Sequence, residues 1–526
     1  QWRMYFEMIY FCLKPNNTMP IIGKLLKKTT QIGYKRNHNK GREYRDQVKV
    51  LAKLLDKGRF TKFGAHHDFE SIIDAENAIE AFQKQVPIMD YERFYDCWLK
   101  HSLLGVKDNT WPGRVKFYAL SSGTTGSPSK RIPVTQEMIR SFQRSSMRQI
   151  TMLHELDLPE TFFNASVLAV GGSTKLVKKA THIEGDLSGI LKKHTSFILS
   201  PFAQPGNRIA ALKNWDEKLE KMVQKAPSWD IGVVAGVPSW CIMLMEKIVE
   251  RYKLESIHDI WPNFQVYVHG GVFMQPYIPR LQKVLGKKVH LMDTYLASEG
   301  YFGYQTSPDR RGMQLMLDAD IFFEFVPFNS DFFDEKGNLK DAYDAFTIEQ
   351  VQEGIDYAMV ISTNAGLWRY MIGDLVRFIN VEEKEVCITG RIKQFLSLCG
   401  EHLSLDNMNQ AIRLVTNEKG LEISEFCIYP DKDDLRHHWF LGVEGDCDQA
   451  EIMSMIDQKL CELNDDYAGV RKYTLKDPIV KVLKPEDFYG FMRSIGKAGS
   501  QNKFPRVMNE YQSEKWLIYL KDQQLV

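Results

Sequence analysis

Residues 117–135 read FYALSSGTTGSPSKRIPVT, in which small hydroxyl and glycine residues separate an apolar, strand-like run from a lysine. Glycines let a backbone approach a ligand closely, and successive N–H groups with hydroxyls can surround an anion. Lys130 adds positive charge at the end of the run. Because no Gly-Lys-Ser/Thr follows at the required spacing, this is not a Walker A loop. The pattern predicts either a polyphosphate cradle or a flexible turn, formed by Ser121, Ser122, Gly123, Thr124, Thr125 and Gly126.

A second polar group occurs in TYLASEG, residues 294–300, where a strand-like segment ends. The aromatic face of Tyr295 can stack on a base, and the Ser298 hydroxyl can donate to a phosphate. The Glu299 carboxylate can hold a magnesium ion. A turn with a solvated glutamate is the alternative interpretation of the same residues.

Three further residues could take part in the same chemistry. Asp374 follows a glycine in LWRYMIGD and could accept hydrogen bonds from a ribose diol, although aspartate is equally common in turns. Arg391 follows Thr389 and Gly390. Near the C-terminus, GKAGSQNKFPR contains Lys497 and Lys503, each of which is either a solvated loop lysine or a mobile catalytic cation.

The elements that must position these residues alternate along the chain. Residues 40–110 have the apolar spacing of helices. Strand-like segments then alternate with helical ones through residues 166–172, 230–253 and 263–286, which predicts βαβ units and a mainly parallel sheet. After Arg391 the pattern changes to short strands around one strong helix, which predicts a small α+β domain.

Composition excludes several classes of protein. The 526 residues are 44% hydrophobic and 26% charged, with a net charge of +1 and no long basic run, so neither nucleic acid nor an anionic membrane is expected as the main partner. The eight cysteines contain no CxxC pair, which argues against a zinc ribbon. Their scattered spacing fits a reduced, cytoplasmic setting. Residues 1–18 are mostly apolar, and too short for a membrane span. We expect them to be a non-native or disordered extension, with natural synthesis beginning at Met19.

Taken in order, these motifs resemble the adenylate-forming superfamily and, more closely, the Gretchen Hagen family of acyl-acid amido synthetases, an auxin-responsive family. SSGTTGSPSK, TYLASEGYFG, LWRYMIGDLVRF, ITGR, LNDDYAGVR and QNKFPR match in sequence order from about Met19 onwards. The superfamily's loop is usually richer in glycine, and its second motif usually reads Tyr-Gly-x-Thr-Glu. YLASEG departs from that pattern towards the amido synthetases.

The resemblance implies an α/β fold, with a large adenylate-forming domain over residues 19–390 that has parallel-rich sheets and helices. A small mobile α+β domain would cover residues 391–526. It also implies a monomer that adenylates a carboxylic acid with ATP and Mg²⁺, and then transfers the acyl group to an amino-acid amine. The nucleotide is expected in the crevice between the domains, at the C-terminal ends of the strands.

By the same resemblance, the loop from Ser121 to Gly126 and Lys130 would hold phosphate. Ser298 would meet the α-phosphate and Glu299 the magnesium ion, and Lys503 would be the mobile lysine. The remaining expected positions are Gly270 and Gly271 near the adenine, Tyr295 in its pocket, Asp374 at the ribose, and Gly390 with Arg391 at the hinge.

Two other functions stay open at this point. An acyl-CoA ligase would share the first step and end with a thiol instead of an amine. A non-catalytic adenylate-binding module would lack turnover, and the presence of Glu299, Asp374 and Lys503 together argues against it. The identities of the acid and the amine are not encoded in these motifs.

Overall fold

A computed structural model of the protein describes most of the chain beyond residue 40. The predicted extension, residues 1–18, lies outside the described ranges, as do residues 122–129 of the phosphate loop. Within those ranges, no helix is both long and apolar enough to cross a membrane. The described residues are 27–28, 30–31, 41–121, 130–194, 202–272, 274–334, 337–392, 396, 398, 401, 403–431, 433–499 and 503–526.

The cysteines in this part of the chain are free thiols, in keeping with the scattered spacing seen in the sequence. They are Cys97, Cys241, Cys387, Cys427, Cys447 and Cys461. The cytoplasmic setting and the monomeric state stay predictions.

The helices of the first part of the chain include the long, amphipathic segment 43–58 that apolar spacing predicted. They are α1 (Glu43–Gly58), α2 (Lys62–His66), α3 (Phe69–Asp74), α4 (Ala78–Gln85), α5 (Tyr91–Phe94), α6 (Lys100–Leu103), α7 (Gln136–Thr151), α8 (Leu187–Lys193), α9 (Gly206–Ala210), α10 (Trp215–Lys225), α11 (Pro238–Tyr252) and α12 (Ile278–Val284). Those that follow are α13 (Leu405–Lys419), α14 (Gln449–Leu463), α15 (Asp465–Tyr473), α16 (Pro485–Ser494) and α17 (Glu510–Asp522).

The strands in the described ranges form three sheets. They are β1 (Phe117–Leu120), β2 (Arg131–Val134), β3 (Ser166–Val170), β4 (Val177–Lys178), β5 (Ile183–Gly185), β6 (Ala203–Gln204), β7 (Ile231–Gly236), β8 (Val266–Gly270), β9 (His290–Ala297), β10 (Gly300–Tyr304), β11 (Met313–Leu315) and β12 (Ile321–Pro327). The later strands are β13 (Asp356–Thr363), β14 (Tyr370–Asn380), β15 (Glu385–Arg391), β16 (Glu422–Asp431), β17 (Arg436–Glu444) and β18 (Ile479–Leu483).

Local sequence signals set where the key helices begin. The Thr135 hydroxyl accepts a hydrogen bond from the backbone N–H of Met138 at 3.1 Å, which caps α7. Pro238 occupies the first turn of α11, where a missing N–H costs nothing because that turn has no partner for it. Each helix therefore starts directly after a strand of the site region, β2 and β7 respectively.

The largest sheet has the order β12-β13-β14-β15-β11-β10-β9-β8-β7-β3-β6. The predicted α/β class is confirmed, and the sheet is mixed. Strands β6, β3, β7, β8 and β9 are parallel because helical crossovers connect them, as the pattern of residues 231–284 predicted. From β9 to β15 the strand pairs are antiparallel, and short turns join β9 to β10 and β14 to β15.

Two smaller sheets flank this one. Strands β2, β1, β5 and β4 form the first, and β1 and β2 pair as the antiparallel strands on either side of the predicted phosphate loop. The second contains β16, β17 and β18, which pack with α13 and α14 around their own apolar core. This is the small α+β unit that the sequence predicted after Arg391, and its boundary with the large unit stays a prediction.

A fully buried ion pair supports the start of β14, the strand that carries Asp374. Arg369 directly precedes β14 and is 1% exposed, and Glu324 on β12 is 0% exposed. The guanidinium donates to Glu324 at 2.9 Å, and its Nη1 also donates to the carbonyl oxygens of Gln83 and Val86 at 2.7 and 2.6 Å. One side chain thus joins the sheet to the C-terminal end of α4.

We expect Glu324→Ala to destabilise the protein by about 3–5 kcal/mol, because it leaves a buried guanidinium without its counterion. Urea denaturation followed by tryptophan fluorescence measures the loss. The control is Lys84→Ala, which removes an exposed pair with Glu80 on the same helix and should leave the transition unchanged. Equal midpoints for both variants would contradict the supporting role of the buried pair.

Candidate active site

The predicted site residues gather where β8 and β9 end. Gly270 is the last residue of β8, and a Cβ there would lie 2.4 Å from the carbonyl oxygen of Thr294 on β9. Gly271 follows with a φ of +83°, a backbone conformation that other residues rarely adopt. The chain therefore passes through this point with bare backbone at the edge of the crevice.

Asp374 is the centre of a hydrogen-bonded cluster on three strands. Its Oδ2 accepts from the Tyr295 hydroxyl at 2.9 Å, and its Oδ1 accepts from Nε of Arg391 at 2.8 Å. Asp374 lies inside β14, opposite Arg391 on β15, so the pairing register itself brings the two side chains together. The Asp374 charge raises the pKa of Arg391, while burial and then Asp374 raise the pKa of Tyr295.

Glu299 lies in the tight turn between β9 and β10, next to Ser298, and is only 6% exposed. Burial, together with the Asp374 charge, raises the pKa of the Glu299 carboxyl to about 7. Lys130 and Arg391 oppose this shift by favouring the ionised form. The group can therefore exchange its proton near neutral pH and is placed to meet a cation.

The two ends of the phosphate loop are fixed on the β1–β2 hairpin. The backbone N–H of Ser121 donates to the carbonyl oxygen of Lys130 at 3.1 Å, which closes the base of the loop. The Lys130 ammonium lies 4.9 Å from the ring centroid of Tyr91, a cation–π contact. Ser122, Gly123, Thr124, Thr125 and Gly126 lie outside the described residues.

Lys503 reaches this site from the small α+β unit. A Cβ on Gly271 would lie 2.8 Å from its Nζ, so the ammonium approaches the backbone of the large unit directly. Loss of hydration between the two units, and then the charge of Arg391, lower the pKa of Lys503, whereas the charge of Asp374 opposes the shift. The side chain is still exposed to water, which moderates the effect. Lys497, the other candidate, lies near Lys515 instead.

The structure thus brings together most of the residues that the motifs selected. Lys130, Tyr295, Glu299, Asp374, Arg391 and Lys503 interact around the ends of β8 and β9. Ser298 and Gly271 lie at the same edge, in the turn after β9 and directly after β8. Gly390 pairs with Leu375 in the β14–β15 ladder.

Tyr370 is a neighbour that the motif analysis missed. It is fully buried, and its hydroxyl has no hydrogen-bond partner among the described residues. Burial and then the Glu299 charge raise its pKa, so the hydroxyl lies close to that carboxylate. An unpaired polar atom beside a buried carboxyl indicates a place for a polar ligand. Tyr370 belongs to the motif LWRYMIGD, but nothing in that motif indicates that its side chain lies near Glu299.

A small cavity of about 20 Å³ lies beside Lys503, between the two units. Its wall mixes polar and apolar side chains and includes the ion pair of Glu425 with Arg506. Among its lining residues are Val237, Trp240, Tyr277, Tyr489, Lys503 and Phe504.

No group of three or more histidine, cysteine or acidic side chains in the described part of the chain could hold a metal ion by itself. A magnesium ion would therefore depend on Glu299, water and the ligand's own oxygens. That is how magnesium is usually held in nucleotide sites, with one or two carboxylates and the substrate phosphates. Glu299 fits such a site because it is a buried carboxylate that can ionise near neutral pH.

Comparison with protein families gives matches over most of the chain. Residues 42–170 and 173–290 match the GH3 family N-terminal domain. Residues 314–388 match the GH3 family central domain, and residues 406–512 match the GH3 family C-terminal domain.

Individual relatives are more distant. A jasmonoyl–L-amino acid synthetase of Oryza sativa subsp. japonica is 27% identical over 280 residues, 49% of this chain and 48% of that protein. The chain thus spans about half the length of this relative. A 4-substituted benzoates-glutamate ligase of Arabidopsis thaliana is 26% identical over 441 residues, 71% of this chain and 74% of the relative.

Solved structures share the fold. The GH3.15 acyl acid amido synthetase superimposes with a TM-score of 0.74 at 17% identity, covering 94% of this chain and 96% of that one. A 2-hydroxyisobutyryl-CoA ligase gives a TM-score of 0.57 at 14% identity, covering 98% and 93%. At these identities the likeness establishes the adenylate-forming fold.

The raised pKa of Glu299 predicts a pH-dependent stability. The folded protein binds this proton more tightly than the unfolded chain does, so stability present below about pH 5 is lost as the pH rises through 7. Glu299→Gln resembles the protonated form and cannot ionise. We therefore expect the variant, without nucleotide or magnesium, to be more stable than the parent at pH 8, by on the order of 3 kcal/mol, and nearly equal to it at pH 4.

Thermal unfolding at the two pH values measures this difference. Glu349→Gln, at an exposed carboxylate, is the matched control and should leave the pH dependence as in the parent. A Glu299→Gln variant whose stability at pH 8 equals that of the parent would contradict the raised pKa of the buried Glu299 carboxyl.

Proposed function

Because the chain belongs to the GH3 family, as its motifs predicted, we propose that it is an ATP-dependent acyl-acid amido synthetase. It activates a carboxylic acid as an acyl-adenylate and then transfers the acyl group to the amine of an amino acid. The observation that carries this proposal is the meeting of Lys130, Glu299, Asp374 and Lys503 at the ends of β8 and β9.

In the first step, a carboxylate oxygen of the acid attacks the α-phosphorus of ATP. The bond from that phosphorus to the bridging oxygen breaks, and pyrophosphate leaves. Negative charge is redistributed over the phosphate oxygens, so fixed cations and donors lower the barrier. Lys503 at the Gly271 backbone and Lys130 at the base of the loop would supply the cations, with Ser298 and Ser121–Gly126 as donors.

The nucleoside would lie on the edge formed by Gly270, Gly271 and Tyr295. Asp374 would accept from the ribose hydroxyls. Each of its oxygens accepts one hydrogen bond in the structure, from Tyr295 or Arg391, and a carboxylate oxygen has two lone pairs. The same two donors orient the carboxylate.

Glu299 would hold the magnesium ion, since it is the buried carboxylate at the phosphate side of the crevice. A bound magnesium ion would neutralise phosphate charge during adenylation. Glu299 itself must lose its proton to act as a ligand, which its pKa of about 7 allows at neutral pH.

In the second step, an amine nitrogen attacks the acyl carbon. The bond from that carbon to the AMP oxygen breaks, AMP leaves, and the nitrogen gives up a proton. AMP is a good leaving group, whereas the oxide that the free carboxylate would have to lose is not. Pyrophosphate has already gone, so the need for Lys503 is smaller in this step.

A substrate screen tests the function. Pyrophosphate release is measured with ATP and magnesium over a panel of acids that includes jasmonate, indole-3-acetate and 4-substituted benzoates, the classes named for relatives. Each active acid is then offered either pooled amino acids or coenzyme A, and products are identified by mass spectrometry. Amide products support the proposal, and thioesters would identify an acyl-CoA ligase. Nucleotide binding without pyrophosphate release would identify a non-catalytic module.

Asp374→Ala should raise the KM for ATP about tenfold or more while kcat changes less, because ribose contacts exist in both the ground and transition states. Steady-state kinetics with varied ATP measures the split. The small α+β unit supplies a matched control in Asp457, which also accepts from a tyrosine and an arginine, Tyr467 at 2.5 Å and Arg471 at 2.8 Å. Asp457→Ala should leave the KM for ATP unchanged, and an equal effect in both variants would refute the ribose assignment.

Lys503→Ala should slow acyl-adenylate formation by about 10²-fold or more, the scale for losing one group that stabilises transition-state charge. Amide formation from a synthetic acyl-adenylate should change far less. Quench-flow measurement of the two half-reactions separates these effects. Lys497→Ala serves as the control. If Lys503→Ala forms the adenylate at the parental rate, Lys503 is not the catalytic lysine and Lys497 becomes the candidate.

A further inference from the structure

A buried polar network joins the small α+β unit to the large one beside Lys503. Glu425 on β16 is 2% exposed and forms an ion pair with Arg506 at 2.8 Å. From the large unit, the Tyr277 hydroxyl donates to Glu425 at 2.8 Å and accepts from Nη2 of Arg506 at 3.2 Å. Tyr277 therefore bridges both members of the pair.

A second bridge lies next to the first. The Tyr489 hydroxyl on α16 donates to Glu425 at 3.3 Å and accepts from Nη1 of Arg280 on α12 at 3.0 Å. Arg280 is itself paired with Glu246 on α11 at 2.7 Å. Each unit thus brings its own neutral ion pair to the interface, so docking buries no unpaired charge.

The position of Lys503 follows from the same contacts. Arg506 comes three residues after Lys503, and its carbonyl oxygen accepts from the backbone N–H of Ile428 on β16 at 2.8 Å. Phe504 packs against Phe488 of α16, with ring centroids 4.9 Å apart. The segment that carries Lys503 is therefore fixed to the small unit and moves with it.

On the opposite side, Tyr277 comes six residues after Gly271, in the same connection between β8 and α12. The contact of Lys503 with Gly271 and the contact of Arg506 with Tyr277 thus join the same two segments. Two contacts fix an orientation that one flexible lysine could not.

We infer that Tyr277 is a positioning residue for adenylation, which holds the Glu425–Arg506 pair and thereby keeps Lys503 at the Gly271 edge of the crevice. The inference rests on the proposed role of Lys503. Tyr277 touches neither of the reacting atoms in this assignment. It acts through the docked state of the small unit, so its hydroxyl matters in the first half-reaction and not in the second.

Tyr277→Phe is the test, because it removes the hydroxyl and keeps the ring. We expect single-turnover adenylate formation to fall about tenfold, the scale for one hydrogen bond to a charged group, with the most active acid of the screen. Transfer from the synthetic acyl-adenylate should stay within about twofold of the parent. Tyr252→Phe is the control, since among the described residues Tyr252 donates only to backbone carbonyl oxygens of the large unit, and we expect both steps to be unchanged.

A double variant shows whether Tyr277 acts through Lys503. If it does, Tyr277→Phe combined with Lys503→Ala adenylates no more slowly than Lys503→Ala alone. An independent further tenfold loss would overturn the inference, as would unchanged adenylation in Tyr277→Phe. Equal losses in both half-reactions, with a lower melting temperature, would show that the hydroxyl merely supports the fold.

Hydrogen–deuterium exchange tests the docked state without substrate. Backbone amides of residues 275–284 should exchange faster in Tyr277→Phe than in Tyr252→Phe. Equal exchange would overturn the inference even if the parent proved inactive. Faster exchange in an inactive parent would overturn the proposed function and the link to adenylation, and would support only the docking contact of Tyr277.

Discussion

The charge of Asp374 governs the electrostatics of the crevice. It holds Arg391 and Tyr295 by hydrogen bonds, adds to the burial that raises the pKa of Glu299, and opposes the lowering of the Lys503 pKa. Three strands of the large sheet and one segment of the small unit therefore respond to one carboxylate. The pairing register of β14 with β15 places that carboxylate opposite its arginine, so the arrangement depends on backbone geometry more than on flexible side chains.

The site lies at the seam of the mixed sheet. On one side of β9 the strands are parallel and end in glycine-containing turns at a common edge, which exposes backbone to a ligand. On its other side the strands are antiparallel, and short turns hold side chains such as Glu299 close to their neighbours. The seam thus combines open backbone for binding with rigidly placed charge for chemistry. A sheet of one kind alone would supply only one of these.

Much of this arrangement could be read from the sequence. The strand and helix alternation of residues 231–284 and the order of the motifs predicted the parallel strands and the residues around Asp374. The antiparallel half was not predicted, because apolar periodicity identifies a strand without its partner. Tyr277 and Glu425 were missed because 148 residues separate them, and neither lies in a distinctive pattern. Their meeting depends on how the two units dock, which local sequence does not encode.

The tight turn after β9 couples the binding of a cation to the release of a proton. Glu299 is partly protonated near pH 7, so any cation that takes its place beside the carboxylate must displace that proton into solution. Uptake of such a ligand would then acidify an unbuffered sample, and its apparent affinity would rise with pH until the carboxyl is fully ionised. The heat of binding would also vary with the ionisation enthalpy of the buffer, which makes a single buried turn residue visible to calorimetry.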